Sequence, residues 1–146
     1  MDSFIRNRAD AITNIFNSGN VDSILDLYCE DAKFSDYILR AVNLDKAATH
    51  AFYTHLMTSH PGTKFITRNV TGTNEFVAHE MTIELRAGDD LKELGAKKGQ
   101  LVRFNGVSLQ SWQKQGHETS ASNEDVANWK ILEQKEYFYV EEVLDE

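Results

Sequence analysis

The sequence has little cysteine, few basic residues and no long apolar run. Its single cysteine, Cys29, cannot form a disulfide within the chain, so we expect a protein of a reducing, cytoplasmic compartment. The 15 Lys and Arg residues against 23 Asp and Glu residues give a formal net charge of −8. This balance disfavours nucleic acid as a partner, because phosphate binding needs clustered basic side chains. No stretch approaches the roughly 18 apolar residues of a membrane-spanning helix, so no membrane partner is expected.

Motifs for phosphate and metal binding are also missing. The sequence holds no G-x-x-x-x-G-K-[ST] or G-x-G-x-x-G pattern that would hold a nucleotide phosphate. His50, His55 and His60 are spaced by five residues. This spacing advances about 140° per step around an α-helix, so the three rings cannot share a metal-binding face. We therefore expect no metal and no other cofactor.

Amphipathic helices dominate the first half of the chain. Three helices are predicted, over about residues 3–17, 21–28 and 44–59. Asn20 is suited to cap the second helix, whose buried face includes Tyr28, and Asn43 is suited to cap the third. The only proline, Pro61, ends the third helix.

Alternating strands dominate the second half, and the whole pattern predicts a single α+β domain over residues 1–146. Strands are predicted over residues 32–37 and about 64–71, 76–87, 101–113 and 129–140. Residues 88–98 form either a short helical turn or a hairpin tip. Residues 114–128 form either a solvated hairpin extension or a lid over a pocket.

Two ionisable side chains are predicted to point into the core. Strand alternation places Asp36 on the face of Phe34, and His79 on the face of Val77 and Met81. A buried carboxylate must be paired, hydrated or raised in pKa, and all three states occur at catalytic sites. Asp36 is therefore either a catalytic group or the cap of a turn after its strand. His79 is either a core histidine satisfied by a hydrogen bond or a general acid/base.

Residues 17–36 carry a resemblance to a known family. A first helix ends in an Asn-Ser-Gly turn, followed by V-D-x-I-x-x-L-Y-x-x-D-A and then F-x-D. This arrangement resembles the nuclear transport factor 2-like superfamily, especially its SnoaL-like polyketide cyclases and ketosteroid isomerases, and the resemblance extends over nearly the whole chain. It implies a cone-shaped, strongly curved, mostly antiparallel sheet packed on three N-terminal helices, and a homodimer formed sheet to sheet.

The resemblance also suggests roles for individual residues. Asp36 falls where a ketosteroid isomerase keeps its proton-shuttling aspartate. The tyrosine and the protonated acid that stabilise an oxyanion in that enzyme correspond to Ile12 and approximately Ser108, and neither matches. Ordinary ketosteroid isomerisation is therefore not expected, and the candidates for a relocated donor are Tyr28, Tyr53, Gln110, Trp112 and His79. Glu136 either supplies the missing acid or is a surface or dimer-interface charge.

The leading hypothesis is a cofactor-independent enzyme that uses acid/base proton transfer in an apolar pocket. It would be an isomerase, dehydratase or cyclase acting on a carbonyl-containing or polyketide-like molecule. Asp36 would remove a proton α to the carbonyl, and His79 would return one or polarise the oxygen. The predicted substrate-binding residues are Tyr53, Ser108, Gln110, Trp112, Phe34, Phe52 and Glu136. The alternative is a non-catalytic dimeric module of the same fold that holds a hydrophobic ligand or binds a protein.

Overall fold

Three helices precede most of the strands of one sheet. The computed structural model describes residues 3–115 and 126–145. The helices are α1 (Ser3–Ser18), α2 (Val21–Leu25) and α3 (Lys46–Ser59). The strands are β1 (Tyr28–Asp36), β2 (Ala41–Leu44), β3 (Lys64–Gly72), β4 (Phe76–Arg86), β5 (Leu101–Lys114) and β6 (Trp129–Leu144). Single turns of 3₁₀-helix lie at Lys92–Leu94 and Val126–Asn128.

The sheet has six strands in the order β2-β1-β6-β5-β4-β3. Strand β1 runs parallel to β6, and every other neighbouring pair is antiparallel. This mixed, mostly antiparallel sheet with helices in the first part of the chain confirms the predicted α+β class. The parallel pairing has a direct consequence for the site, because it sets Asp36 opposite Glu136.

Two predicted helix boundaries and one predicted helix cap were wrong, and each has a local physical reason. Helix α2 ends at Leu25, because the chain turns there and Tyr28 begins β1. Helix α3 begins at Lys46 and is capped by Asp45, whose Oδ1 accepts a hydrogen bond of 2.9 Å from the backbone N–H of Ala48. Asn43, the predicted cap, instead lies in the unpredicted strand β2 with a φ of 58°, a left-handed conformation that Asn tolerates better than most residues.

The core lies between the helices and one face of the sheet. Its main cluster joins α1 and α3 to β1 and β3, through residues such as Phe16, Phe34 and Phe65. A smaller cluster gathers around Leu85 and Phe104 on β4 and β5. Partly buried side chains bridge the two clusters, and the space left between them forms the cavity described below.

Three sequence-based expectations are addressed only in part by the fold. Within the described residues, no helix combines the length and the apolarity needed to cross a membrane. Residues 88–98 contain the 3₁₀ turn and a bridge between Leu91 and Ala96, which favours the helical-turn interpretation. The choice between a lid and a hairpin extension for residues 114–128 depends on residues 116–125, which lie outside the described residues.

Candidate active site

Two carboxyl groups meet at the centre of the sheet. Strands β1 and β6 place Asp36 and Glu136 in register, and the two residues are only 5% and 6% exposed. Their carboxyl groups are hydrogen-bonded to each other. Asp36 Oδ1 also accepts a hydrogen bond of 3.1 Å from the backbone N–H of Leu39. Asp36 therefore caps the turn after β1 and also belongs to a buried carboxyl pair, so both interpretations of its role fit the geometry.

The pair is arranged to share one proton unequally. Burial raises the pKa of Glu136 well above its usual range, and the neighbouring Asp36 charge and hydrogen bond raise it further. Burial also raises the pKa of Asp36, but hydrogen bonds from Glu136 and from the backbone of Leu39 and Ile38 oppose that effect. Two adjacent carboxyl groups do not both ionise readily in an apolar site. We therefore assign the proton to Glu136 and the negative charge to Asp36.

Gln134 fixes the orientation of the Glu136 carboxyl group. The Tyr28 hydroxyl donates a hydrogen bond to Gln134 Oε1, so the amide NH₂ must point the other way. Gln134 Nε2 donates to Glu136 Oε2 at 2.8 Å and to Ser108 Oγ at 2.9 Å. A carboxyl oxygen that accepts this bond acts as the carbonyl oxygen of a protonated acid. This bond favours the acidic proton of Glu136 on the other oxygen, where Asp36 or a molecule in the cavity can accept it.

A small apolar cavity adjoins the carboxyl pair. It measures about 30 Å³, which is about the share of one water molecule in the liquid. Helix α3 contributes Phe52, Tyr53 and Leu56 to its wall. The other apolar wall residues are Ile38, Leu39, Phe65, Ile83, Leu85, Phe104 and Phe138. Asp36 and Glu136 are thus the ionisable groups at an otherwise apolar surface, apart from the Tyr53 hydroxyl.

His79 lies in a different part of the interior. It is fully buried, but it is not among the described residues that line the cavity. Gln110 Oε1 accepts from Trp112 Nε1 at 3.1 Å, so the Gln110 amide NH₂ faces His79 Nδ1 at 3.3 Å. Nδ1 is then an acceptor, and Nε2–H donates to Thr67 Oγ1 at 2.9 Å. The structure therefore does not bring His79 to the cavity that Asp36 lines, although the hypothesised mechanism gave both residues a role.

Burial lowers the pKa of His79 to about 4, and the nearby charge of Arg6 lowers it further while Asp10 opposes this shift. The imidazole is therefore neutral at pH 7. With both ring nitrogens hydrogen-bonded, this geometry is that of a satisfied core histidine.

Some of the other predicted site residues line the cavity, and the rest lie in the interior around it. Phe52 and Tyr53 line the cavity, and Phe34 packs beneath them with ring centroids 5.1 and 5.4 Å away. Ser108, Gln110 and Trp112 lie farther along the interior, where Ser108 Oγ accepts from both Gln110 and Gln134. They belong to a polar network behind the carboxyl pair. Gln134 was missed as a site residue, although its position two residues before Glu136 indicates the same face of β6.

The described residues contain no group of three His, Cys, Asp or Glu side chains placed to hold a metal ion. Cys29 is buried, and burial raises the pKa of its thiol, with the charge of Asp31 adding to that effect. A thiol with a raised pKa is a weak nucleophile at neutral pH. Among the described residues, the carboxyl groups that combine burial with access to this cavity are therefore Asp36 and Glu136.

Comparisons with known proteins point to one fold. No protein-family model matches the sequence. The cyclase aurE of Calcarisporium arbuscula is 26% identical over 118 residues, covering 79% of this chain and 82% of that protein. A proposed SnoaL-like polyketide cyclase from Shewanella denitrificans has a TM-score of 0.64 at 15% identity, covering 91% of this chain and 88% of the other. SalBIII, an epoxide hydrolase/cyclase-like enzyme with a role in pyran ring formation in the polyether salinomycin, has a TM-score of 0.64 at 15% identity, covering 97% and 92%.

Proposed function

We propose that this chain, which has the fold of SnoaL-like polyketide cyclases and ketosteroid isomerase-like proteins, is a proton-transfer enzyme of the cyclase or isomerase type. Its substrate is a small, largely apolar carbonyl compound, and its chemistry needs no cofactor. The observation that supports this proposal is the buried Asp36–Glu136 pair beside an apolar cavity. The similarity to cyclase aurE favours ring closure as the outcome.

The two carboxyl groups suit opposite roles in enolisation. Asp36 carboxylate removes a proton from the carbon α to a carbonyl, so that the C–H bond breaks and its electron pair forms the C=C bond of an enol. Glu136 donates its proton to the carbonyl oxygen, which would otherwise become an enolate in an apolar site. The pKa difference between neighbouring acids is the usual way in which one site holds both an acid and a base at pH 7.

Ring closure restores both carboxyl groups to their starting protonation states. The nucleophilic carbon of the enol attacks a second carbonyl carbon of the same molecule and forms a C–C bond. The new alkoxide takes the proton from Asp36, and the enol oxygen returns its proton to Glu136. If the proton on Asp36 is delivered to a different carbon instead, the product is an isomer without a new ring. Both outcomes are redox-neutral and leave the enzyme in its starting state.

Several further residues support this mechanism from behind the pair. Gln134 and Tyr28 hold Glu136 in its donating orientation. The Tyr53 hydroxyl lies 3.3 Å from the Tyr28 hydroxyl, and its ring faces the cavity. His79 has no role in this mechanism, because its ring nitrogens are engaged elsewhere.

The test is turnover of β-diketones and β-keto thioesters of increasing length, with products identified by liquid chromatography and mass spectrometry. Asp36→Asn and Glu136→Gln should each lower kcat/KM by about 100-fold or more, the range of general acid–base catalysis. Asp31→Asn on β1 and Glu133→Gln on β6 are matched controls, because they change the same groups on the same strands at more exposed positions. Equal activity of wild type, Asp36→Asn and Glu136→Gln would refute the mechanism.

A non-catalytic ligand-binding module is the second candidate, and the mostly apolar wall around the carboxyl pair favours it. It predicts saturable binding of an apolar molecule without turnover of any carbonyl compound. It also predicts that Glu136→Gln leaves the dissociation constant unchanged, because a bound apolar molecule needs no proton from the pair.

We also propose a homodimer formed through the outer face of the sheet. Exposed aromatic side chains cluster there, with Tyr139 60% exposed and the Tyr37 and Tyr137 rings stacked at 5.0 Å. Large exposed apolar surfaces of this kind commonly mark interaction sites. Sedimentation velocity at micromolar concentration should show a dimer for the wild type and a monomer for the Tyr137→Arg/Tyr139→Arg variant. A monomeric wild type would contradict the proposal.

A further inference from the structure

A larger groove lies immediately outside the inner cavity. It measures about 370 Å³, against about 30 Å³ for the cavity beside the carboxyl pair. Leu39, Phe52, Leu56 and Leu85 line both spaces, so the groove and the cavity are adjacent and have a common apolar wall. Pockets that hold small molecules usually measure about 300–1,000 Å³. The groove reaches this size, and the inner cavity does not.

The groove is held open between α3 and the segment that follows β4. At its closed end, Gly88 lies so near α3 that a Cβ atom there would be 1.7 Å from the carbonyl oxygen of Ser59. The backbone N–H of Gly88 also donates to His60 Nδ1 at 2.9 Å. Leu91 and Leu94 form the far wall. Backbone packing of Gly88 against Ser59 therefore fixes how closely the segment after β4 approaches the end of α3 beside the groove.

Charge is distributed unevenly along this groove. Asp89, Asp90 and Glu93 contribute three carboxylates to its lining, while no Lys or Arg among the described residues lines it. The remaining ionisable groups are His55 and His60, and burial lowers the pKa of His60, with His55 lowering it further and Asp89 opposing this effect. The floor is apolar, and the fixed charge in the lining is negative.

We propose that this groove is a subsite for the uncharged chain of an elongated substrate whose carbonyl end reaches the Asp36–Glu136 pair, and that its acidic lining selects against anionic chains. An apolar chain gains free energy by leaving water for the leucine and phenylalanine wall. A chain that ends in a carboxylate or a phosphate brings its charge toward the three carboxylates, and this repulsion weakens as salt concentration rises. The placement of the substrate's carbonyl end at the Asp36–Glu136 pair rests on the proposed function. The selection against anionic chains by the groove does not.

The experiment uses binding alone, so it needs no known reaction. N-phenyl-1-naphthylamine, an uncharged fluorescent probe, is bound to the full chain and displaced either by 2-undecanone or by decanoate, two molecules of similar length that differ in charge. We expect 2-undecanone to displace the probe at a concentration at least about 10-fold lower. Probe binding that is absent, or equal displacement by the two molecules, would overturn the proposal.

Charge variants separate the groove from the net charge of the protein. The Asp89→Asn/Asp90→Asn/Glu93→Gln variant should bind decanoate about 3- to 10-fold more tightly while 2-undecanone is unchanged. The control variant Asp22→Asn/Glu30→Gln/Asp31→Asn removes the same number of negative charges at exposed positions elsewhere, and it should leave the ratio of the two displacing concentrations unchanged. If both variants bind decanoate more tightly by the same factor, the net charge of the protein explains the effect, and the proposed charge selection by the groove is wrong.

A further variant keeps the two proposals distinguishable. Asp36→Asn should retain the preference for 2-undecanone over decanoate, because the groove lining does not include Asp36. Retained selectivity together with wild-type turnover in Asp36→Asn would refute the proton-transfer mechanism and support the groove. Loss of turnover in Asp36→Asn together with equal binding of the two molecules in the wild type would support the proton-transfer mechanism and refute the charge selection by the groove.

Discussion

The interior face of the sheet holds two buried polar sites of opposite character. At one site, the Asp36 and Glu136 carboxyl groups adjoin a cavity, and burial raises the pKa of both. At the other, His79 has hydrogen-bonded partners on both ring nitrogens, and burial lowers its pKa to about 4. Both sites contain inward-facing titratable groups with perturbed pKa values. The two sites differ in their access to a cavity. Of the two, the carboxyl pair lines the described cavity and His79 does not.

This comparison shows what distinguishes a site of chemistry from a satisfied core. Ser108 connects the two regions, since its Oγ accepts from Gln110 on the His79 side and from Gln134 on the carboxyl side. On the His79 side, the polar chain continues through Thr67 to Thr13 and ends at the Ala9 carbonyl. On the carboxyl side, it ends at the Glu136 carboxyl group, which lines a cavity. A perturbed pKa alone therefore does not identify a catalytic group.

The largest expected effect separates the two regions by activity. Asp36→Asn should lower kcat/KM by about 100-fold or more, because it removes the base. His79→Gln should keep kcat/KM within about 3-fold of wild type, because His79 does not line the described cavity. Steady-state kinetics on the carbonyl compound with the fastest turnover checks both. If kcat/KM falls as much in His79→Gln as in Asp36→Asn, and both variants are equally folded, the carboxyl pair and His79 do not differ in their contribution to catalysis.

The next effect is an opposite pH dependence of stability. The folded pKa of Glu136 is raised, so its contribution is fully present below about pH 4.3, its ordinary unfolded value, and is lost as pH rises from there through the folded pKa. The folded pKa of His79 is lowered to about 4. Its contribution is therefore present above about pH 6.5 and is lost as pH falls from 6.5 toward 4. Each group changes the free energy of unfolding by at most about 1.4 kcal/mol per pH unit.

Urea unfolding from pH 4 to pH 8 measures these slopes. Relative to wild type, Glu136→Gln should gain stability as pH rises above about 4.3, and His79→Gln should gain stability as pH falls below about 6.5. Parallel pH profiles for the wild type and both variants would show that neither group is perturbed as the structure indicates.

A smaller effect concerns the support of the carboxyl pair. Tyr28→Phe removes the donor to Gln134 Oε1 and leaves a buried carbonyl unpaired, which should cost about 1–3 kcal/mol of unfolding free energy. The freed amide can also rotate, so kcat should fall more than KM changes. Tyr139→Phe is the matched control, because the Tyr139 side chain is exposed on the outer face of the sheet. Equal stability and kcat in the two variants would argue against a role of Tyr28 in orienting Gln134 and Glu136.

The smallest effect is expected on the His79 side. Thr67→Val removes the acceptor of His79 Nε2–H and the partner of Thr13. Thr67 is partly exposed, so water can replace part of the lost bonding, and we expect a loss of about 1 kcal/mol in unfolding free energy. Activity should be unchanged. Thr67→Ser should restore the lost stability, and a drop in kcat that Thr67→Ser rescues would instead indicate that the His79 side contributes to turnover.

The sequence was sufficient to place Asp36 and His79 inside the protein, because strand alternation alone determines which face a side chain occupies. It was not sufficient to pair Asp36 with Glu136. That contact depends on the parallel register of β1 and β6, two strands separated by most of the chain, and alternation within one strand carries no information about its neighbours. Glu136 was therefore left open as an acid or a surface charge.

Local signals also failed where two residues of similar type compete. Asn43 and Asp45 are both good helix caps and lie two residues apart. The structure uses Asp45, because Asn43 lies in the edge strand β2 with a φ of 58°. Tyr28 likewise fits the apolar spacing of α2, yet its burial is achieved at the start of β1. In each case tertiary pairing overrode a local preference.

The most direct measurement is a ¹³C NMR pH titration of the Asp and Glu carboxyl carbons, with Asp36→Asn and Glu136→Gln used to assign the two resonances. The account predicts that Glu136 titrates well above the ordinary range and that its pKa falls in Asp36→Asn, because the Asp36 charge contributes to the shift. If both carboxyl groups titrate near pH 4 and independently of each other, the pair shares no proton at neutral pH and the proposed acid–base mechanism is wrong.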